Sequence, residues 1–255
     1  MLGYIVNGTV VGTRNASFQC PSDESQVFSF TAVAANQFPI PPFPWSLTKG
    51  NYGINWGNCD WGQGVLQSYF SPNLFLQSPF GLNPSGTGPI LIRISSFTDG
   101  TSNTHVASEI LQGAPDDIRG TVWDDNPGAG SYMTRFTPNG SQDYVPLFQP
   151  WASISPSSLA FNNADNLPGI LGSNYGSSPP NPGSLCDSQP ARGLRCNDQA
   201  NQWRMFSGTR SRHTGGVNTL FGDGSVHFIE SAISPMTWVQ LGSINGGEVI
   251  SSDQY

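Results

Sequence analysis

The pair Asp223-Gly224 restricts the fold of this chain more than any other sequence feature. It joins residues 217–222 to residues 225–229, two segments in which apolar and polar side chains alternate, and this arrangement is the strongest short-range signal of a β-hairpin. A two-residue type I′ turn at this pair fixes the register of the two strands. It places the following residues opposite one another on the face that we expect to be buried: Phe221 with Val226, and Thr219 with Phe228.

A short helix is predicted directly after the hairpin. Ser234 suits the N-cap and Pro235 the first helical position, and residues 236–241 form the body of the helix. Gly242 then ends it. We therefore expect the C-terminal part of the chain to be a hairpin followed by a helix.

Composition indicates that the rest of the chain is mainly β. Only 11% of the residues are charged, and 30 Gly and 21 Pro are spread among many Ser, Asn and Thr residues, which indicates many loops. We expect one domain over residues 1–255, of the α+β class and mainly β, in which an antiparallel sheet carries long ordered loops. Residues 126–201 show no periodicity and are predicted to be a long loop insertion over one face.

Three other segments have the β-branched composition of strands: residues 90–94, 104–111 and 120–123. In the second segment, His105 and Glu109 are four residues apart, so an unbroken strand would place both side chains on one face. Residues 8–23 also end in a short strand signal before a proline turn.

The four cysteines, Cys20, Cys59, Cys186 and Cys196, are even in number and contain no C-x2-C pair. This spacing argues against a structural zinc site and is typical of an oxidising compartment. The last two cysteines bracket a short loop, and a disulfide between them is our first choice. Four unrelated buried thiols are the alternative.

Charge and hydropathy exclude two classes of partner. The net charge is -7 and Lys49 is the only lysine, so the chain lacks a basic patch for a phosphate backbone, and we expect no nucleic-acid partner. No run of about 18 apolar residues is present that would span a membrane. Residues 1–11 are too short and too uncharged for a signal peptide, so we expect a soluble chain whose export signal lay upstream of Met1.

Nine residues separate His213 from Asp223-Gly224, and with this spacing the chain resembles the prepilin-type, processing-associated His-x9-Asp-Gly family, whose members share a domain of unknown function. The resemblance covers nearly the whole chain. It includes these further segments: Cys20-Pro21-Ser22-Asp23, Asn51-Tyr52-Gly53, Asp99-Gly100-Thr101-Ser102-Asn103-Thr104, Glu109 and residues 246–253.

The resemblance implies a pilin-like antiparallel sheet, export to the periplasm or cell surface, and a calcium ion as in related pseudopilins. It implies no established catalytic mechanism. Members usually begin with a prepilin leader and a long apolar helix, and this chain has neither, so we expect that it does not build a filament as given. The chain also has His105 where the family usually places an aliphatic residue.

Acidic and imidazole side chains within these motifs are the candidate ligands of a divalent cation. Oxygen donors dominate the set, so calcium is the first expectation, and the imidazole makes zinc or manganese an alternative. A metal-bound water of lowered pKa could then attack an ester. The predicted catalytic residues are His213, Glu109 and Asp223. The predicted metal ligands are Glu109, Asp223, Asp99, Asp124, His213 and Asn218.

Each candidate also has a purely structural explanation. Asp223 and Asp99 suit turns by residue type alone, and His213 could simply donate to a buried carbonyl. Glu109 is different, because a carboxylate within an apolar strand is costly unless it is paired or bound to metal. It is therefore the strongest single candidate.

Other chemistries have weaker support. A serine nucleophile with His213, His105 or His227 as base lacks a Gly-x-Ser-x-Gly elbow. Asp124 and Asp125 would point to opposite faces of a strand, which argues against a glycosidase pair. Aromatic residues that could bind carbohydrate, or simply anchor loops, are Tyr52, Trp56 and Trp61.

Three classes of function remain open. The first is the head of an exported pilin-like protein that holds a divalent cation and acts as a metal-dependent hydrolase on phosphoesters. The second is a non-catalytic structural subunit of the pilin or pseudopilin type, and the third is a surface module that binds glycans. The expected partner is a small-molecule ester or a component of the cell surface.

Overall fold

The structure is a computed structural model, and it describes residues 8–29, 46–58, 76–81, 91–115, 117, 119–123, 127–140, 143, 189–195, 206–248 and 250–251. Within these ranges the chain forms two α-helices, seven strands and several short 3-10 turns. The helices and strands are α1 (Gly8–Gly12), β1 (Val27–Ser29), β2 (Ser46–Thr48), β3 (Tyr52–Asn55), β4 (His105–Glu109), β5 (Ser131–Tyr132), β6 (Gly216–Phe221), β7 (Val226–Glu230) and α2 (Pro235–Leu241).

Five of the strands form one sheet in the order β5-β3-β4-β6-β7. Neighbouring strands are antiparallel except β3 and β5, which run parallel, so the sheet is mixed rather than purely antiparallel. Strands β1 and β2 form a separate antiparallel pair. The prediction of a mainly β protein with few helices is confirmed.

The predicted hairpin is present, but its register differs from the prediction by one residue. The amide of Phe221 donates to the carbonyl of Ser225 at 2.8 Å, and the amide of Gly224 donates to the carbonyl of Phe221 at 3.0 Å. The loop therefore has three residues, 222–224, and among them only the glycine at 224 has a positive φ, of 89°. Three-residue loops of this kind end in a left-handed glycine, whereas a type I′ turn needs positive φ at both central positions.

This difference moves the side chains of β7 to the opposite face. Val226 pairs with Leu220 and Phe228 pairs with Asn218, so Val226 and Phe228 are 63% and 45% exposed instead of buried. On β6 the expected burial of Thr219 and Phe221 is confirmed.

Helix α2 begins at Pro235 and ends before Gly242, as predicted, although the Ser234 side chain makes no capping hydrogen bond. Its Trp238 and Leu241 are fully buried against the sheet. The principal core consists of Ile110, Tyr132, Val217, Phe221, Ile229, Ile233, Trp238 and Leu241. Among the described residues no helix is both long enough and apolar enough to cross a bilayer.

Three strand predictions are wrong. Residues 91–93 have no regular structure and lead into a 3-10 turn, Ile94–Ser96, with exposed apolar side chains. Residues 120–123 form turns, because Gly120 has a φ of 90° and its amide donates to the carbonyl of Gly128. Residues 8–23 contain α1 and a 3-10 turn in place of a strand.

One part of the predicted insertion belongs to the core. Residues 127–140 include β5, and Tyr132 and Met133 are completely buried. Strand β5 therefore belongs to the main sheet, where it pairs with β3, and not to a loop that runs over the surface. Cys59, Cys186 and Cys196 lie outside the described residues, as do Trp61, Asp124 and Asp125, whereas Cys20 is a buried free thiol.

Candidate metal site

Glu109 ends β4 with its side chain only 2% exposed. Its Oε2 accepts the backbone amide of Asn218 at 2.7 Å, and its Oε1 lies 3.3 Å from the Asn218 Nδ2. Glu109 thus follows Ser108, the last residue of β4 that pairs with β6. Its carboxylate accepts a hydrogen bond from the backbone amide of a β6 residue. In the described part of the chain, no lysine or arginine pairs with this carboxylate.

His213 reaches the same carboxylate from the loop that precedes β6. Its Nε2 lies 3.0 Å from Glu109 Oε1, and its side chain is 33% exposed. Its backbone amide donates to the hydroxyl of Ser211 at 3.0 Å, which fixes the loop locally.

Cys20 completes the cluster from the N-terminal part of the chain. Its Sγ lies 3.8 Å from Glu109 Oε1 and 3.9 Å from His213 Nε2, and the residue is buried. The sulfur, nitrogen and oxygen donors all lie within 4.8 Å of one another. We refer to Cys20, Glu109 and His213 as the metal cluster.

The sequence interpretation missed Cys20 as a member of this cluster. The three residues are 89 and 104 positions apart, so no local spacing joins them. The segment Cys20-Pro21-Ser22-Asp23 carries part of the family resemblance, and it is the sequence signal that could have indicated a functional role for Cys20.

A buried polar network holds the segment that carries Cys20. The amide of Cys20 donates to Asn51 Oδ1 at 3.0 Å, and Asn51 Nδ2 donates to Asp23 Oδ2 at 2.7 Å. The same Asp23 oxygen accepts the amide of Gln112 at 3.0 Å, and Asp23 Oδ1 accepts Nε of Arg212 at 3.1 Å. The segments that carry Cys20 and His213 are therefore joined by an ion pair as well as by the cluster.

Tyr52 lies beside the cluster on the neighbouring strand. It is the Cα partner of Glu109 across the β3–β4 ladder and is half-buried. Burial raises the pKa of the Tyr52 phenol, and the nearby Cys20 and Glu109 raise it further. The phenol consequently stays protonated and can donate a hydrogen bond.

Donor geometry resembles that of a tetrahedral zinc site. Zinc bonds of about 2.3 Å to sulfur and 2.0–2.2 Å to nitrogen and oxygen imply donor separations of roughly 3.4–3.6 Å. The observed separations of 3.0, 3.8 and 3.9 Å bracket that range. Small side-chain shifts would therefore place a zinc ion between the three donors.

The same geometry argues against a cysteine nucleophile. In a Cys-His-acid arrangement the acid binds one ring nitrogen while the other contacts the sulfur. Here a single atom, His213 Nε2, faces both the sulfur and the carboxylate. Convergence of donors on one point is typical of a metal site.

The structure places two other predicted ligands elsewhere. Asp223 is in the exposed hairpin loop, where its Oδ1 accepts the amide and hydroxyl of Ser225, and these hydrogen bonds lower the pKa of its carboxyl. Asp99 accepts the amides of Gly246 and Gly247 at 2.7 and 2.9 Å. Neither carboxylate belongs to the metal cluster, so the structure does not bring these two predicted ligands together with Glu109.

For Asp223 the reason is distance along β6. This strand separates the two ends of the signature, His213 and Asp223-Gly224, and six residues at about 3.3 Å each span roughly 20 Å. Asp124 lies outside the described residues. Asn218 does reach the cluster, but as a hydrogen-bond donor to Glu109.

His105 takes no part in the cluster. A register shift interrupts the strand between His105 and Ala107, and the ring stacks on Trp238 at 4.4 Å. Its Nδ1 contacts the Tyr132 hydroxyl at 2.8 Å. Burial lowers the pKa of His105 to about 3, so the ring is a neutral core residue.

The serine nucleophile and the carbohydrate-binding aromatic residues involve described residues that can be compared with the structure. Ser225 Oγ lies 3.0 Å from His227 Nε2, and it also donates a hydrogen bond to Asp223 Oδ1. In a catalytic triad the acid binds the histidine ring and orients it, so this arrangement is not a triad. Trp56 is buried with Met133 and Phe206, and it cannot stack on a sugar.

A second group of charged side chains is buried in the described part of the chain. Asp143 accepts from Arg119 at 3.1 Å and from Arg210 at 2.8 Å, and Arg119 also binds Asp117. Although burial opposes ionisation, Arg210 and Arg119 hold the pKa of Asp143 below its ordinary value. We refer to these four residues as the ionic network.

Comparisons with known proteins give one result. Neither curated proteins nor solved structures gave a match. Residues 7–236 match a family described as "Protein of unknown function (DUF1559)". Because this match spans most of the sequence, the chain belongs to that uncharacterised bacterial family.

Proposed function

We propose that this protein is the metal-binding head of an exported, pilin-like protein, and that the metal cluster holds zinc. The observation that carries the proposal is the convergence of Cys20 Sγ, Glu109 Oε1 and His213 Nε2 within 4.8 Å in a largely buried position. The pilin-like fold and the export rest on the resemblance of the signature motifs.

Donor chemistry favours zinc over the calcium that the sequence first suggested. Calcium takes six to eight oxygen ligands, whereas the cluster offers one carboxylate, one imidazole and one sulfur. Thiolate and imidazole suit zinc. A thiolate and a carboxylate also neutralise the two charges of the ion, which is favourable in a buried site.

The number of protein ligands favours a reactive metal. Structural zinc sites have four protein ligands, whereas catalytic sites have three and a water. Among the residues that the structure describes, three supply ligands: Cys20, Glu109 and His213. The partly exposed His213 marks the side from which water would reach the ion. A zinc-bound water has a pKa near 7 and can attack an ester, so metal-dependent hydrolysis is the activity that we propose.

A binding experiment tests the metal directly. The purified protein is titrated with zinc and with calcium, and we expect zinc binding with 1:1 stoichiometry and no calcium binding at the cluster. Cobalt substitution should give a sulfur-to-metal charge-transfer absorption that Cys20→Ser abolishes. Asp223→Asn is the matched control, because it removes a signature carboxylate outside the cluster.

Activity is tested separately with a chromogenic phosphoester. We expect turnover that EDTA removes and zinc restores, and that Glu109→Gln and His213→Ala abolish. If the protein binds zinc but hydrolyses no ester, the proposal of a hydrolase is refuted and the proposal of a metal-binding module stands. Absence of zinc binding would refute both.

A non-catalytic structural subunit is the second candidate. It is favoured by an exposed apolar patch on the outer hairpin of the sheet, formed by Leu220, Val226 and Phe228. Association of two copies through this patch would bury it. Sedimentation of the wild type and of Phe228→Asp tests this candidate, and a concentration-independent monomer would contradict it.

A further inference from the structure

We propose that Arg212 and Tyr52 form an oxyanion-recognition site beside the metal cluster, and that the ligand is a phosphoryl group. This inference rests on the proposed zinc site and names the substrate class of that site. Two side chains carry hydrogen-bond donors that no described residue accepts: Tyr52 is the cross-strand partner of Glu109, and Arg212 directly precedes His213.

Arg212 precedes the ligand His213 in the sequence and is 27% exposed. Its Nε donates to Asp23 Oδ1 at 3.1 Å, and the Asp23 side chain is only 1% exposed. The two terminal nitrogens of Arg212 form no hydrogen bond with any part of the chain that the structure describes. A guanidinium held at Nε in this way keeps a planar pair of donors for an anion.

Tyr52 faces the cluster from the adjacent strand. The amide of Ile110 donates to the carbonyl of Asn51 at 2.8 Å, so Asn51 and Ile110 are the hydrogen-bonded pair of the ladder. Tyr52 and Glu109 are then a non-hydrogen-bonded pair, the type in which side chains lie closest. Within the described residues, the Tyr52 hydroxyl has no hydrogen-bond partner.

Charge explains why the ligand would need the metal. Without zinc, the buried Glu109 carboxylate would repel an anion. With zinc, the cluster is neutral, and the metal, Arg212 and Tyr52 offer three separate positive or donor groups. A phosphoryl group presents three oxygens to them, whereas a carboxylate presents two.

Inorganic phosphate and acetate serve as probes for the zinc-loaded and metal-free protein in calorimetric titrations. We expect phosphate to bind only the zinc-loaded protein and more tightly than acetate. Arg212→Gln and Tyr52→Phe should each weaken phosphate binding about tenfold, the scale of one lost charge-assisted or well-placed hydrogen bond, and leave zinc affinity within twofold. Arg93→Gln is the control for net charge, because this arginine is exposed and remote in sequence from the cluster residues.

The outcomes separate this inference from the proposed function. If the wild type binds zinc, but Arg212→Gln and Tyr52→Phe both bind phosphate with the same affinity as the control Arg93→Gln, the oxyanion site is refuted. The zinc site then still stands. If Arg212→Gln weakens zinc and phosphate equally, Arg212 only holds the loop of His213, and its assignment is overturned. If zinc does not bind, both proposals fail.

Discussion

The metal cluster and the ionic network each contain a buried carboxylate, but they differ in how the negative charge is balanced. In the network, two carboxylates meet two guanidiniums, and Ser207 and Gly208 donate to Asp143 as well. In the metal cluster, a carboxylate and a thiol share one imidazole, and no arginine or lysine of the described chain joins them. In the network, arginines balance the carboxylates, whereas the described residues offer the cluster neither lysine nor arginine. This difference is why we propose a metal at the cluster and not at the network.

The largest expected effect comes from breaking the ionic network. Asp143→Ala leaves Arg119 and Arg210 without their shared carboxylate, and loss of one member of a buried ion pair costs about 3–5 kcal/mol. Urea unfolding with and without EDTA measures it, and the loss should be the same in both. A loss that depends on the chelator would contradict the separation of the two groups.

The second effect comes from removing the proposed metal. At free zinc of about 100 times Kd, binding stabilises the fold by about 2.7 kcal/mol, which EDTA should remove. In Cys20→Ser, thermal unfolding should no longer respond to zinc or EDTA, while Asp143→Ala should keep its response. A wild type that unfolds at one temperature in both buffers would contradict the zinc site.

His105, another buried ionisable residue, sharpens the comparison because no described residue forms an ion pair with it. Its folded pKa of about 3 lies below the ordinary 6.5, so the unfolded chain binds more protons between these values. Its contribution to stability is present above pH 6.5 and is lost as the pH falls towards 3, at about 1.4 kcal/mol per pH unit.

The double variant His105→Leu with Tyr132→Phe tests this expectation, because it removes both partners of the 2.8 Å contact. Unfolding free energies between pH 3 and 7 should show a shallower slope than in Tyr132→Phe alone. Equal slopes would mean that the imidazole is not the titrating group.

A smaller effect is expected from the residue that orients Glu109. Asn218→Ala removes the Nδ2 contact but keeps the backbone donor, and loss of a supporting hydrogen bond typically lowers metal affinity at least tenfold. Competition with a chromophoric zinc chelator measures the change. Unaltered affinity would indicate that the backbone amide alone positions the carboxylate.

The smallest effect is expected at the hairpin aspartate. Asp223 lies in an exposed loop, and among the described residues its carboxylate accepts hydrogen bonds from Ser225 alone, so Asp223→Asn should leave zinc affinity unchanged. A loss of zinc binding in this variant would show that Asp223 contributes to the metal site.

Local features of the fold could be predicted because neighbouring residues determine them. The Asp-Gly hairpin, helix α2 with its Pro start and Gly end, and strand β4 all follow from patterns a few residues long. The described residues 91–94 and 120–123 do not form the predicted strands, because apolar composition does not distinguish a strand from a turn.

The candidate site was predictable only in part, for a similar reason. Glu109 stands out because an acidic side chain in an apolar strand needs a partner, and the motif marks His213. Cys20 could not be paired with them, since contact across 89 residues depends on how the N-terminal segment packs.

By itself, the sequence determined the mainly β class, the hairpin and the identity of two cluster residues, since these depend on chemical type and short spacing. Only the tertiary structure decided that Cys20 joins them and that Asp99 and Asp223 do not. It also decided the hairpin register, because a three-residue loop reverses which side chains of β7 face the core. Distances between remote segments follow from the packing of the whole sheet, and no local pattern encodes them.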